Sequence, residues 1–482
     1  MASEELTGNE ITAEKESREV AHDGAGRLGV LRHKHYRTVW CASFFAYMGN
    51  WFEFVGMQWI VAKLTESTVW LTVIGIAQLA PMLVLGLPGG VVADRVNRKT
   101  LLLTTQAAMM IVAIGFSVVV ALHSGAKPLI GNSALLWWLL ILAGLQGVTT
   151  AFHAPAGQVL TPRLVPREEL IAAITLQGIS FNVARALGPA IGALLMGAFG
   201  ASWLFALNAA GFIIVFFAVM TTPDAPAPSR NGSMWDIADV KKDTKEAIGF
   251  AWHNKGPRAA LLATVTFSLL GTPVLRFLPL FVSQVYGLHE WAFGILTGMM
   301  GAGAAIGGLS LKLVPNWYPK HHLIPFSVFL GGFWIFIFAI TSNVWMAGTF
   351  MFFVGFFWMW AFNSSMAALQ LLVPDAMRGR VMSVCNTVAL GAMPLGAVVA
   401  SLVGESAGAA IHRLAPQWWE AGIDAQIGIA FVAFVLMCAG VVMLIWRTPE
   451  VDGLKPGEPG YDRVPGLVRG IFAKSHRIHQ QQ

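Results

Sequence analysis

Gly90-Val91-Val92-Ala93-Asp94-Arg95-Val96-Asn97-Arg98-Lys99 is a short polar turn between two long apolar stretches, residues 70–93 and 100–122. Each stretch exceeds the roughly 20 residues that a helix needs to cross hydrocarbon with every backbone polar group paired inside the segment. The turn therefore reads as a hairpin tip at a membrane surface, with one carboxylate followed by three cations. Outward from it, the same test finds further spanning segments at 38–63, 134–156, 170–199 and 203–221, and a second set at 259–285, 291–313, 323–340, 345–370, 381–407 and 427–446. The predicted fold class is an all-α integral membrane protein of twelve transmembrane helices in two six-helix bundles, 38–221 and 259–446. The segment 222–258 divides them; Pro223, Pro226 and Pro228 precede a polar stretch around Lys241, Lys242, Asp243, Lys245 and Glu246 that reads as a surface-lying helix. Residues 1–37, with Glu4, Glu5, Glu10, Glu14, Glu16 and Glu19, read as a disordered cytosolic tail with no apolar signal-peptide core, and residues 447–482 as a second cytosolic tail.

Composition agrees. Of 482 residues 56% are hydrophobic and 12% charged, about half the charged share of a soluble globular chain, so this chain cannot cover its surface for water. Cys41, Cys385 and Cys438 stand far apart inside apolar runs and read as small core residues, with neither a disulfide framework nor a metal set. A net charge of +6 does not imply a nucleic-acid partner, because the cations occur in short clusters between apolar segments.

Those clusters set the orientation, since cytoplasmic loops carry the excess of Lys and Arg. With the N-terminus inside, 27 of the 32 cations fall on the cytoplasmic side and three, Lys63, Lys127 and Arg413, on the other; Arg185 and Arg276 lie within helices. Both termini are thus expected in the cytoplasm, in a multi-pass protein of the cytoplasmic (inner) membrane. Trp70, Trp137, Trp138, Trp203, Trp291, Trp345, Trp418 and Trp419 fall at the outer helix ends, as an interfacial aromatic belt would.

The halves echo one another at offsets of about 210 to 220 residues in the same direction: Gly75 and Gly89-Gly90 match Gly294 and Gly307-Gly308, and Leu164-Val165-Pro166 matches Leu372-Val373-Pro374. Parallel repeats of this kind build many secondary transporters. The loop Gly90 to Lys99 resembles the signature loop of the major facilitator superfamily, G-x-x-x-D-R-x-G-R-K, at the place in the topology where that family has it. Asn97 replaces the usual Gly and is the side chain that best tolerates a left-handed backbone. The resemblance implies a cytoplasmic gate of Gly90, Asp94, Arg95, Arg98 and Lys99, in which the acid tethers the two halves while the protein is open outward. Positive-inside charge alone explains the three cations but not the acid.

In the fifth segment, Asn182, Arg185, Gly188, Pro189 and Gly192 form an element similar to the helix-5 motif of the superfamily's exporters and antiporters. Pro189 frees a carbonyl and bends the helix, and Gly188 and Gly192 make a smooth packing face; ordinary small-residue packing reads the same way. Ala154-Pro155-Ala156, Leu164 to Leu170, Phe181 to Arg185 and Val373 to Val381 together resemble the branch of bacterial secretion effectors that includes enterobactin, macrolide and lysophospholipid transporters. Gly157 stands where that branch often has Arg, and the second-half counterpart of the signature loop, near Leu313 to Asn316, is eroded.

The resemblance implies a central cavity lined by helices 1, 4, 7 and 10, with helices 2, 5, 8 and 11 meeting between the halves. Glu53 and Arg276 are the charges in the first helix of each half, at similar depths. A charge left in hydrocarbon costs about 2.5 to 3.5 kcal/mol, so water or a partner is expected. Glu53 is the candidate proton-coupling group, with Arg276, Trp51, Gln58 and Trp59 as candidate cavity wall; a fixed ion pair that only orients helices is the alternative. Arg185 is expected between the bundles beside Asn182. His33, His35, His321 and His322 read as solvated loop histidines, and no metal or cofactor is expected. The implied function is proton-coupled export of a small amphipathic molecule by a monomer. A lipid transporter or nutrient importer of the same fold is an alternative. A membrane enzyme or sensor is opposed by the lack of a clustered acid–base set or a large soluble domain. No Gly-Lys-Ser/Thr loop is present for ATP.

Overall fold

The structure, a computed structural model, describes residues 29–124, 128–158, 160–223, 237–315, 318–418, 420–446 and 448–453. It is all helical. The first half contains α1 (Lys34–Thr65), α2 (Thr68–Arg95), α3 (Arg98–His123), α4 (Asn132–Gln158), α5 (Leu170–Phe199) and α6 (Ala201–Met220). The second contains α7 (Lys255–Val285), α8 (Glu290–Ser310), α9 (Lys320–Ala339), α10 (Val344–Leu372), α11 (Asp375–Leu414) and α12 (Ile423–Ile445). Eleven of these are long and apolar enough to cross a membrane. The twelfth, α1, is 32 residues long and packs among them against α5 and α6; Asn50, Glu53 and Gln58 interrupt its apolar run.

Side-chain caps start several helices. Ser67 accepts from the Val69 N–H at 3.2 Å ahead of α2, and Asn343 accepts from the N–H groups of Trp345 and Met346 ahead of α10. Asn97 does not adopt the left-handed turn expected of it. With φ −58° it caps α3, accepting from the N–H groups of Lys99 at 2.9 Å and Thr100 at 3.2 Å.

The two halves repeat one packing scheme. α2 lies on α4 and α3 on α6, just as α8 lies on α10 and α9 on α12, while α5–α8 and α2–α11 join the halves. The glycines that echo in sequence hold equivalent posts. A Cβ on Gly89 would overlap the Ala151 carbonyl of α4, and one on Gly307 would stand 2.8 Å from the Phe356 Cα of α10. Gly75 and Gly294 each face the opposite half, Gly75 against the Arg276 guanidinium and Gly294 against Ala193 and the Pro189 carbonyl.

Several boundaries differ from expectation. The expected N-terminal tail 1–37 ends in structure: Gly29–Arg32 form a 3-10 turn with Val30 buried, α1 starts at Lys34, and Arg32 and His33 both contact Glu169, His33 at 3.0 Å. The connecting helix Ile237–His253 exists, and it buries Ala247 and Ala251 against the second half. α7 is interrupted at Thr272 before Pro273 and ends in a π turn, Phe281–Val285, since Pro273 and Pro279 remove backbone donors. Beyond α12, Pro449–Asp452 form a 3-10 turn against α7 and α9. The remainder of both expected tails, 1–28 and 454–482, lies outside the described residues.

His321 and His322 are not solvated. They are 2% and 6% exposed, and Asp452 binds the His321 Nδ1 and accepts from the Lys320 N–H at 2.7 Å, capping α9. Of the cysteines only Cys385 is buried; Cys41 and Cys438 are exposed on helix surfaces. Trp137, Trp138, Trp203, Trp291 and Trp345 are exposed at the expected helix ends; the side chains of Trp418 and Trp419 are outside the described set.

Candidate functional site

A cavity of about 810 Å³ runs from the face at which α1 starts and α12 ends to mid-height, within the range of pockets that hold drug-sized molecules. At its mouth are Val39, near the start of α1, and Leu160, Thr161 and Pro162 of the α4–α5 connection. Deeper, α1 contributes Ser43, Tyr47, Asn50 and Glu53, spaced to fall on one helical face. The other polar side chains are Gln78 of α2, Gln106 of α3, Gln146, Thr150 and His153 of α4, and Gln177 of α5. Arg276 enters from α7 and Met393 and Pro394 from α11. The lining is thus largely the first half, with the second half closing one wall; α10 reaches only an adjoining pocket of about 370 Å³, through Trp358.

These carboxamides are the residues that sequence reasoning missed. The Gln106 and Gln146 Oε1 atoms are buried without a hydrogen-bond partner, while Gln177 donates to the Tyr47 hydroxyl at 3.2 Å and accepts from Thr161 at 3.2 Å. His153 meets the Thr105 hydroxyl at 3.1 Å. A glutamine in an apolar helix was legible as costly to bury, but it carries no charge to draw attention.

Glu53 and Arg276 share this cavity and do not form an ion pair among the described residues. Glu53 is 5% exposed and accepts from the Asn208 Nδ2 of α6 at 2.5 Å. Gly49, one turn before it on α1, leaves room for Asn208 to approach. Arg276 donates to the Leu71 carbonyl at 3.3 Å and lies on Gly75. The fixed Glu53–Arg276 pair is therefore corrected to two separate anchorages.

Of the other expected wall residues, Trp51 lines the 370 Å³ pocket, packed on Gly188. Gln58 and Trp59 leave the cavity: Gln58 is 1% exposed with its Oε1 unpartnered, and Trp59 stacks on Phe293 of α8, centroids 6.4 Å apart, beneath Lys63. Arg185 is half-buried; it donates to Asn182 Oδ1 at 2.9 Å and lies over Trp358 of the other half, 5.6 Å from the ring centroid. Gly188 and Gly192 receive Trp51 and Phe52 of α1, with Pro189 between them in a continuous α5. At the signature loop Lys99 donates to the Thr222 carbonyl at 2.6 Å, holding α3 to the end of α6; Arg98 stands in the first turn of α3. Gly90 lies in α2, and the side chains of Asp94 and Arg95 are outside the described set.

At the far face the halves are sealed by polar contacts that no sequence signal marked. Glu405 of α11 accepts at one oxygen from the Ser67 hydroxyl (3.0 Å), the Thr68 hydroxyl (3.1 Å) and the Val69 N–H (3.3 Å), capping α2 across the interface. Thr68 and Ser401 share a hydrogen bond of 2.8 Å, and Thr72 donates to the Ala397 carbonyl at 3.4 Å. A carboxylate at a helix N-terminus is favoured by the helix dipole as well as by its donors.

Twelve helices in two pseudo-equivalent bundles, with a polar cavity opening at one face and a seal at the other, define a multi-pass membrane protein of the major facilitator fold. Solved structures with that fold superpose on it. A bacterial homologue of the human lysosomal transporter Spinster, in its inward-facing conformation, matches with a TM-score of 0.62 at 15% identity, covering 86% of this chain and 95% of its own. A D-xylose–proton symporter matches at 0.66 and 12%, covering 88% and 100%. Residues 25–418 match the family model for transmembrane secretion effectors, so this chain belongs to that family of major facilitator transporters. Its relatives include the staphyloferrin A transporter of Staphylococcus aureus, 25% identical over 76% of this chain and 88% of that one. Macrolide efflux protein A of Streptococcus pyogenes is 26% identical over 72% and 85%, and the enterobactin exporter of Salmonella typhimurium 28% over 73% and 82%.

Proposed function

We propose that this transporter exports a small amphipathic molecule from the cytoplasm in exchange for protons, with both termini cytoplasmic and Glu53 as the coupling group. The observation that carries the coupling role is the Glu53–Asn208 contact at the cavity wall. The amide donates to the carboxylate, and its own Oδ1 is buried with no partner. A protonated Glu53 would find in that vacant oxygen an acceptor for its new O–H, so one residue serves both protonation states. Glu53 is also the sole carboxyl among the described cavity residues. Carboxamides and hydroxyls over an apolar wall suit a substrate with many hydrogen-bonding oxygens, which agrees with the macrolide and enterobactin named for the relatives.

The concentration of cations on the face bearing the termini supports its cytoplasmic placement. The cavity then opens inward, the state in which an exporter loads. Asp94 at the signature loop would latch that face in the opposite state. The experiment is a substrate screen in proteoliposomes with the terminal face outward. An acidic lumen is expected to drive accumulation of siderophores or macrolides. If no member of either class moves faster with the gradient than without it, this reading fails.

A further inference from the structure

A second cleft, of about 530 Å³, lies between the second half and the end of the connecting helix Ile237–His253, apart from the transport cavity. Three helix ends form it at the face where α1 starts and α12 ends: the first turns of α7, the first turns of α9 and the last turns of α12, closed beneath by Thr448, Glu450 and Val451. We propose that it is a binding site for an anionic phospholipid of the leaflet at that face.

The cleft has the two-part chemistry of such a lipid. Lys255 and Arg258 stand at its polar end. Lys255 is paired with Glu450 at 3.4 Å and Asp452 is engaged by His321 and the Lys320 N–H, while Arg258, half-buried, has no ion-pair partner among the described residues and is the cation that an anionic headgroup would meet. One turn deeper along α7 is Leu262, and facing it on α12 are Ala439, Val442 and Met443. From Ala439 to Trp446 is about 10 Å at 1.5 Å per residue, the distance from the acyl chains to the headgroup level. Trp252 and Trp446, 53% and 73% exposed, flank the rim at the depth where indole rings prefer to lie.

The opening faces the bilayer and not the cavity, since Leu262 and Val442 are 39% and 51% exposed on the outer surface of the bundle. A free inorganic anion would use the cations and leave the apolar floor bare. A zwitterionic lipid would fill the floor and bring its own cation against Arg258. An anionic headgroup with its chains in the floor satisfies both ends, as basic pockets between transmembrane helices do elsewhere.

The test is native mass spectrometry of the full chain from nanodiscs of phosphatidylcholine with phosphatidylglycerol. The expected result is selective retention of phosphatidylglycerol, weakened about fivefold by Arg258→Gln, the contribution of one cation beside an anionic surface, and restored by Arg258→Lys. Ala439→Phe, which fills the floor and keeps both charges, is expected to abolish retention. Equal retention of the two lipids overturns the proposal, as does retention that ignores Ala439→Phe, which would show surface attraction without a site. Retention that appears only after residues 455–482 are removed would assign the cleft to the chain's own C-terminal segment and also overturn it.

Discussion

Gly75 shows at the scale of one residue how the two halves are locked. The Arg276 guanidinium lies where its Cβ would be, so α7 reaches α2 only because that position is a glycine. Gly75→Val should expel Arg276 from its contact with Leu71. The expected outcome is a fall in transport of about tenfold or more, equivalent to about 1.4 kcal/mol, with unchanged elution of the purified protein; full transport would show that the Arg276 anchorage is dispensable. Residue-level reading of the sequence picked out two charges that line the cavity, Glu53 and Arg276, and misplaced Gln58 and Trp59, where neighbours in sequence were taken as neighbours on a helix. Glu53 stood out because a carboxylate in hydrocarbon is costly. At 100° per residue, Gln58 lies about 140° around α1 from Glu53, which turns it into the bundle. Asn208 and the cavity glutamines, neutral and on other helices, had no local signal tying them to Glu53.

Among elements, the pairs α2–α4 and α8–α10 approach backbone to backbone through glycines. A Cβ on Gly355 would overlap the Met300 carbonyl, and one on Gly303 the Phe352 carbonyl. Gly355→Val is therefore expected to destabilise the second half by about 1 to 3 kcal/mol, read as a lower unfolding temperature in detergent; an unchanged transition would mean the helices separate at no cost. Helix existence was legible almost throughout because apolar length alone decides it. α1 passes that test least well, and it is the helix that carries most polar atoms into the cavity. The capping of α9 by Asp452 was not legible, since it depends on a partner more than 130 residues away, whereas the break at Thr272 and the π turn after it follow from Pro273 and Pro279, local signals that an apolar-length test passes over.

For the whole molecule, the seal at the far face and the signature loop at the near face should bias the same equilibrium in opposite directions. Removing the charge of Glu405 weakens three contacts to α2, and hydrogen bonds to a charged group are worth about 1.5 to 3 kcal/mol. Glu405→Gln is expected to shift the population toward opening at the far face by about tenfold, and Asp94→Asn away from it. Electron–electron distances between labels at Ser133 and Ser342, exposed at that face in different halves, would report both; equal distances in wild type and Glu405→Gln would remove Glu405 from the seal. Both variants are expected to alter which face is open, and neither touches the proposed coupling to protons. That coupling is assigned to Glu53, and the direct measurement is transport by Glu53→Gln in proteoliposomes, with and without an imposed pH gradient. The variant should still exchange substrate across a membrane at equal pH, because Gln keeps the contact to Asn208, while the acceleration by the gradient disappears. Gradient-driven accumulation that persists at the wild-type rate in Glu53→Gln would contradict the assignment.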